Sequence, residues 1–239
     1  VTNAAEQKTI RVMSGLALEV AVNRWIKPQF EAETRYVLDF DWRPTAALMK
    51  DIAGGGRADM IIAISDSMDR LVTDGIVLGE TRTKLADSIL GIGVKAGAAR
   101  PDISTVDAFK RALVGARAVA YSQAGASGIY FAKLIERLGI AEQVNDRAVI
   151  IPMGFTAEKV ASGEAELAVQ QVSELMSVTG IDVAGPFPED VQVLSTFEVA
   201  IFRNAANDAG SRAFLEKLSS LAAGEAYDRG GLQSRLGRG

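Results

Sequence analysis

Val119-Ala120-Tyr121-Ser122-Gln123-Ala124-Gly125-Ala126-Ser127-Gly128-Ile129-Tyr130-Phe131 is a short apolar β-type run that ends in small polar and glycine residues, followed at once by a helical pattern. A strand that turns straight into a helix exposes unpaired backbone N–H groups at the positive end of the helix dipole. Such a junction suits an anion, although strand–Gly–Ser–helix junctions also occur with no ligand. Strand alternation turns one of Tyr121 and Ser122 toward the ligand side and leaves open which.

The same alternation of strand and helix extends in both directions. Downstream, the helix Ile129–Leu138 closes at Gly139. Strand Arg147–Ile151, Pro152-Met153-Gly154, a helix from Thr156 to Ala161 and strand Glu166–Gln171 complete one β-α-β-α-β unit. Upstream, Thr9–Met13 reads as a strand ending in Ser14-Gly15. A helix period follows over Leu16–Glu33 with Pro28 inside it, then strand Tyr36–Phe40, a helix from Thr45 to Ile52 after Pro44, and the apolar strand Met60–Ile64. Ser65-Asp66-Ser67 starts another helix, and Ser104 with Asp107 makes a helix start before the 118–121 strand. Extended runs at Ile89–Val94 and Val193–Phe202 and helices at Ser211–Ala222 and Gly224–Arg229 account for the rest. Alternation of this kind predicts an α/β fold with parallel sheets flanked by helices. Two such units joined by two crossings, near 89–94 and 196–202, predict two lobes: 1–88 with 200–239, and 89–199. Ligands in such sheets sit beyond the carboxyl ends of the strands, so the strand-end loops of both lobes should face a shared cleft, with the crossing strands as hinges.

Composition narrows the chemistry. The 239 residues carry a net charge of −4, with neither cysteine nor histidine. Disulfides, thiolate nucleophiles and a Ser-His-Asp triad are excluded, and the commonest general base and metal ligand are missing. The charge gives no reason to expect nucleic acid as a partner, and the apolar runs are too short to span a membrane. Binding is therefore the simpler expectation, with no catalytic residue, metal or cofactor. The chain begins at Val1 with no basic-then-apolar leader, which is read as a mature form whose export signal has been removed. Gly54-Gly55-Gly56-Arg57 follows a helix and precedes a strand, the wrong order for a nucleotide fingerprint.

Three pieces in this order and spacing carry a family resemblance: Gly55-Gly56-Arg57-Ala58-Asp59-Met60-Ile61-Ile62 with Ser65, Gly125-Ala126-Ser127-Gly128-Ile129-Tyr130, and Ser162-Gly163-Glu164-Ala165-Glu166. The closing Gly224-Glu225-Ala226-Tyr227 through Gly230 is a fourth. Nearly end to end, the chain resembles type II periplasmic solute-binding proteins, most of all the molybdate-binding branch. The resemblance implies a periplasmic or extracytoplasmic monomer of two lobes, each a mixed, mostly parallel sheet, that delivers a small solute to an ABC transporter permease. In that branch the oxyanion is held by two hydroxyls of the first lobe and by backbone N–H groups and a tyrosine of the second. The first hydroxyl falls at or near Ala17, with Ser14 and Gly15 the nearest substitutes, and the second at about Thr45. The backbone donors fall at Ser127 with Gly128, and at Met153 or Gly154. The tyrosine position falls on Gln171.

Arg43, beside Thr45, has no expected counterpart in a molybdate site. Arginine suits bidentate capture of a planar carboxylate, and the glutamine amide both donates and accepts. The expected ligand is therefore a small organic anion such as a di- or tricarboxylate, with a molybdate- or tungstate-type oxyanion as the alternative. Service as the ligand-sensing partner of a signalling receptor is the alternative of another class. Each candidate also has a structural role open to it. Arg43 could be paired at the surface, with Asp39 and Asp41 as the partners. Thr45 could start a helix, Ser65 reads more readily as a helix cap than as a ligand contact, and Gln171 could be a buried amide tying the lobes together.

Overall fold

The computed structural model describes residues 8–237. Residues 1–7 and 238–239, including the Val1 start from which a removed export signal was inferred, lie outside the described residues. In chain order the elements are β1 (Lys8–Ser14), α1 (Glu19–Ala21), α2 (Lys27–Glu33), β2 (Tyr36–Trp42), α3 (Thr45–Ala53), β3 (Met60–Ile64), α4 (Ser65–Thr73) and β4 (Thr83–Lys95). Next come α5 (Val106–Gly115), β5 (Val119–Ser122), α6 (Ala126–Arg137), α7 (Ala141–Asn145), β6 (Val149–Ile151), α8 (Ala157–Ala161), β7 (Leu167–Gln171), α9 (Val172–Leu175) and β8 (Ile181–Pro186). The chain closes with β9 (Leu194–Ile201), α10 (Asp208–Leu218), α11 (Leu221–Arg229) and β10 (Gln233–Ser234). It divides into two compact units: the described chain up to Asp87 together with that from Ser195 onward, and Ser88–Leu194.

In the first unit the strand order is β2-β1-β3-β9-β4, with β10 added on β4. β1 pairs in parallel with both β2 and β3, while β9 runs antiparallel to β3. The unbroken apolar run of β3 is explained by burial on both faces. Met60 and Ile62 join Ile10, Val12, Leu38 and Phe214 in one core, and Ile61 and Ala63 join Leu48, Ile52 and Leu71 in the other. Pro28 lies in the first turn of α2. The helix period read across Leu16–Glu33 is broken before it by a π turn at Val22–Ile26. Widening the helix there accommodates a residue that lacks an N–H and crowds the preceding turn. The closing glycine motif is also steric. A Cβ at Gly224 would lie 2.8 Å from Ser234 Oγ and one at Gly230 3.0 Å from Ala21 Cβ, while Tyr227 between them is fully buried and donates to the Leu218 carbonyl at 2.9 Å.

The second unit has the order β4-β7-β5-β6, with β8 on the other edge of β4. β5 is parallel to β7 and β6, and β4 is antiparallel to β7. Val119, Tyr121, Leu167 and Val169 face a core with Phe109, Phe131 and Phe187. Ala118, Ala120 and Ala168 face a thinner core with Ala157 and Val160 of α8.

Several sequence expectations are corrected. β4 is longer than the predicted 89–94 run: it starts at Thr83, and β10 pairs with it at Ala86 and Asp87, a partner distant in sequence. Thr105, not Ser104, caps α5, its hydroxyl accepting from Ala108 N at 3.2 Å, while Ser104 turns back to Asp102. The two closing helices predicted at 211–222 and 224–229 run instead over 208–218 and 221–229, with the break at Ser219-Ser220, where the Ser220 hydroxyl caps α11.

A buried carboxylate holds the middle of the first unit. Glu198 on β9 is 0% exposed. It accepts from Ser65 Oγ at 2.7 Å and pairs with Arg82, which also reaches Asp69 at 2.6 Å. Removing one partner of a buried pair costs roughly 3–5 kcal/mol. Arg82→Ala should therefore lower the urea unfolding free energy by about 3 kcal/mol, and adding Glu198→Gln should recover part of it. Additive losses would show that the pair is not coupled.

Candidate functional site

Each unit presents a set of loops at the carboxyl ends of its parallel strands. In the first unit Ser14 is level with Trp42 of β2 and Ile62 of β3, so Ser14-Gly15, Arg43–Thr45 and Ser65 share one end of the sheet. Ser14 is fully buried, its hydroxyl donates to the Gly15 carbonyl at 3.1 Å, and its own carbonyl accepts from Arg43 N at 3.1 Å. Gly15 N–H is used by the Ile62 carbonyl. A Cβ on Gly15 would come within 2.7 Å of Phe197 Cε1 and 3.3 Å of Thr45 Oγ1. Glycine is therefore required by close approach, and the Thr45 hydroxyl lies against it. Thr45 opens α3 after Pro44, whose extended backbone forms the N-cap.

Two first-unit expectations change. Arg43 is not a free fork. Its Nε donates to Asp41 Oδ1 at 2.7 Å, and its Nη2 bonds Asp41 and also Asp51, at 2.7 Å. These carboxylates, Asp41 first, hold the guanidinium charged, and two acids around one base leave the spot unattractive to an anion. Asp41 was an expected partner. Asp51 was not, since it lies one helix away in sequence, and Asp39 is exposed. Ser65 is not the cap of α4, a place held by Ile64 without any side-chain bond; its hydroxyl is spent on Glu198.

In the second unit, Ser122, the 152–155 loop and Gln171 lie at the carboxyl ends of β5, β6 and β7, with Ser122 level with Ile151. Tyr121 is corrected from ligand contact to core. It packs edge-on against Phe131, donates to Asn145 Oδ1 at 2.8 Å, and desolvation raises its pKa. Ser122, one residue on, takes the opposite face.

α6 starts at Ala126 with Gly125 as an N-cap that offers no side-chain bond. Its first free carbonyl, that of Gly125, is used by Ile129 N at 3.0 Å, so the N–H groups of 126–128 precede the helical ladder. The Ser122 hydroxyl lies beside this turn: a Cβ on Gly125 would meet it at 2.5 Å and one on Gly128 at 2.8 Å. A Cβ on Gly128 would also run into the Ser122 carbonyl. Ser127 is buried in the same turn. Gln123 N and Ala124 N donate to the carbonyls of Ile151 and Pro152, tying the loop to its neighbour.

The two adjacent glutamines part company. Gln170 braces the neighbouring loop: its Oε1 accepts from Thr156 N at 2.8 Å and Thr156 Oγ1 at 2.9 Å, and its Nε2 donates to the Gly154 carbonyl at 3.0 Å. Gly154 itself has φ +103°, a left-handed conformation that favours glycine. Gln171 is 6% exposed, and its Oε1 is buried without a hydrogen-bond partner among the described residues. Sequence reasoning missed Ser88 and Ser173, whose buried hydroxyls are also unpartnered. The pairing of Leu90 with Gln171 places both serines toward the same end of the sheet. The signal was the small polar residue just beyond each apolar run. Such buried groups ordinarily find partners, so these three, at the end of one sheet, are candidates for contact with a polar ligand. No group of three or more acidic side chains is placed to hold a metal among the described residues.

Residues 10–233 match the family of bacterial extracellular solute-binding proteins, and the chain belongs to that family. An aconitate isomerase from Pseudomonas sp is 33% identical over 216 residues, 88% of this chain and 82% of that protein. The periplasmic molybdate-binding protein of Azotobacter vinelandii has a similar structure, with a TM-score of 0.77 at 17% identity over 93% of this chain and 98% of that one. The sulfate-binding protein of Mycobacterium tuberculosis H37Rv gives 0.72 at 14% identity over 95% and 87%. These structures share the fold, and the resemblance read from sequence holds for family and architecture. The protein is a solute-binding protein of the extracellular class, and no helix among the described residues is long and apolar enough to cross a membrane.

The Gly128 approach is directly testable. Overpacking against backbone typically costs about 1–3 kcal/mol. Gly128→Ala should lose that much in urea unfolding, whereas Gly125→Ala, which meets only a rotatable hydroxyl, should lose less than about 1 kcal/mol. Equal losses would remove the backbone approach as the constraint.

Proposed function

We propose that the protein captures a small organic polycarboxylate outside the cytoplasm and hands it to an ABC transporter permease. The observation that carries this reading is the second-unit loop set: an uncapped α6 N-terminus beside the Ser122 hydroxyl, with the unpartnered Gln171 amide at the end of the adjacent strand. Backbone N–H groups at a helix start favour negative charge. Hydrogen bonds to a charged group contribute roughly 1.5–3 kcal/mol each, so a few of them dominate the binding of a small anion. The Gln171 amide turns either its oxygen or its NH2 inward, so it serves a ligand hydroxyl or a carboxylate equally.

The relative that acts on aconitate, a tricarboxylate, supports this ligand class over an inorganic oxyanion. Ser127, Gly128 and Gly154 complete the second-unit set; in the first unit Thr45 is the proposed contact on its own strand-end loop, since the Ser14 hydroxyl already donates to the Gly15 carbonyl and Gly15 N–H to the Ile62 carbonyl. Arg43 is proposed as a brace for the 41–51 turn, since its bonds to Asp41 and Asp51 would have to open before it reached a ligand. Ser65 braces Glu198 in the same way.

A thermal-shift screen of citrate, cis-aconitate, trans-aconitate, succinate, molybdate and sulfate tests the reading. A true ligand at about 100 times its Kd stabilises by roughly 2.7 kcal/mol. Stabilisation by tricarboxylates and not by molybdate or sulfate is expected. Ser122→Ala and Gln171→Ala should each weaken binding roughly tenfold, the cost of one or two polar contacts, with Arg43→Ala weaker by less than about threefold. A response confined to molybdate or sulfate would replace the ligand class.

The named relative favours a second reading, isomerisation of the bound acid. Such turnover needs a group that removes and returns a proton at carbon. The named loops hold hydroxyls and amides, and the carboxylates Asp41 and Asp51 are held by Arg43, so binding without turnover is expected. Proton NMR of cis-aconitate incubated with the protein should show one unchanged isomer; steady appearance of the trans form would make the protein an enzyme.

A further inference from the structure

The second unit carries a cavity at the opposite end of its sheet from Ser122 and Gln171. It is about 600 Å³ in volume and lies where β7 begins, at the carboxyl end of β4 and the last turn of α5. That size falls within the range of roughly 300–1,000 Å³ usual for small-ligand sites. Ala98, Ala99, Pro101 and Ala112 supply an accessible apolar lining, and Lys95, Arg100, Arg111 and Arg117 bring four cations to the same cavity.

Glu166 is the one acid lining it, and its carboxylate accepts from Arg117 N at 2.7 Å. Arg117 Nη2 donates to the Gly163 carbonyl at 2.9 Å, a neutral acceptor that holds the guanidinium in place. Arg111 is near enough to Asp102 to help lower that carboxyl's pKa, after the two hydrogen bonds from Ser104. Asp182 accepts from Gly97 N at 3.1 Å, and Asp102 is bound by Ser104. In a chain of net charge −4, four cations against Glu166 in the lining and Asp102 beside Arg111 is a local excess of positive charge, and the second observation is the apolar lining among them.

We propose that this cavity is a second ligand site for an organic anion, one phosphate or carboxylate group on a short alkyl or aryl body. The guanidinium and ammonium groups take the anionic head, and the apolar lining takes the body. Exposed cations alone hold an inorganic ion weakly because water and salt screen them, whereas burying the attached body adds a contribution proportional to its apolar area. The proposal is independent of the ligand assigned to the strand-end loops.

Hexyl phosphate is the probe, with inorganic phosphate and hexanol as its two halves. Binding is followed by calorimetry and by amide chemical-shift mapping of the full chain. Saturable binding at least tenfold tighter than either half is expected, with shifts concentrated at 95–101 and 112–117. The double variant Arg100→Glu/Arg111→Glu, at two exposed positions, should weaken it at least tenfold while the melting temperature stays close to the parent's. Should that variant fail to fold, Ala112→Trp, which narrows the cavity without touching its charge, serves in its place with the same expected loss. Phosphate binding as tightly as hexyl phosphate, affinity indifferent to the variants, or shifts centred on 122–128 would each overturn the proposal.

Discussion

A buried carboxylate is tolerated only where its partners are supplied, and Glu198 is supplied twice, by the Ser65 hydroxyl and the Arg82 guanidinium. That requirement couples three separate parts of the first unit: the start of α4, the approach to β4 and the antiparallel strand β9. A second carboxylate repeats the arrangement. Asp87, on β4, accepts from Thr196 Oγ1 at 2.7 Å and pairs with Arg235 at 2.6 Å. Both strands on which the chain passes between units are thus fastened inside the first unit by polar contacts with strict geometry. An apolar contact at the same places would hold the strands without fixing their register.

The site logic follows from a different constraint, close approach of backbone. At Gly128 the helix α6 comes so near the end of β5 that no side chain fits. This closeness brings the first-turn amides and the Ser122 hydroxyl into one small region. At Gly15 the same device lets the 14–15 turn pass Phe197 and Thr45. At both places glycine brings backbone close to a short polar side chain, Thr45 at Gly15 and Ser122 at Gly128.

Much of the architecture was legible because its physical cause is local. The unbroken run Met60–Ile64 reads as a strand buried on both faces, and it is one. Gly139 reads as a helix stop and has φ +68°. What escaped notice depends on neighbours. β8, Ile181–Pro186, is only half-buried along much of its length and mixes polar with small residues, so its pattern is weak; its pairing with β4 makes it a strand. α7 and α9 are five and four residues long, too short to show a helical period. Among the candidate ligand residues, the side of β5 that Tyr121 takes and the full set of partners of Arg43 were open in the sequence for one reason. Residue type suggests what a side chain is able to do, while Asn145 for Tyr121 and Asp51 for Arg43, both on other elements, decide what it does.

The sequence by itself determined the α/β class, the strand-end loops and the exclusion of histidine and cysteine chemistry, because periodicity and composition are properties of the chain alone. Only the tertiary structure decided that Ser122 rather than Tyr121 faces away from the aromatic core. The same holds for Gln170, which braces a loop while Gln171 keeps an unpartnered oxygen, and for Arg43, whose charge is taken up by two acids. Those outcomes turn on which groups lie within about 3 Å of one another, and side chains distant in sequence meet at that range only after the sheets have formed.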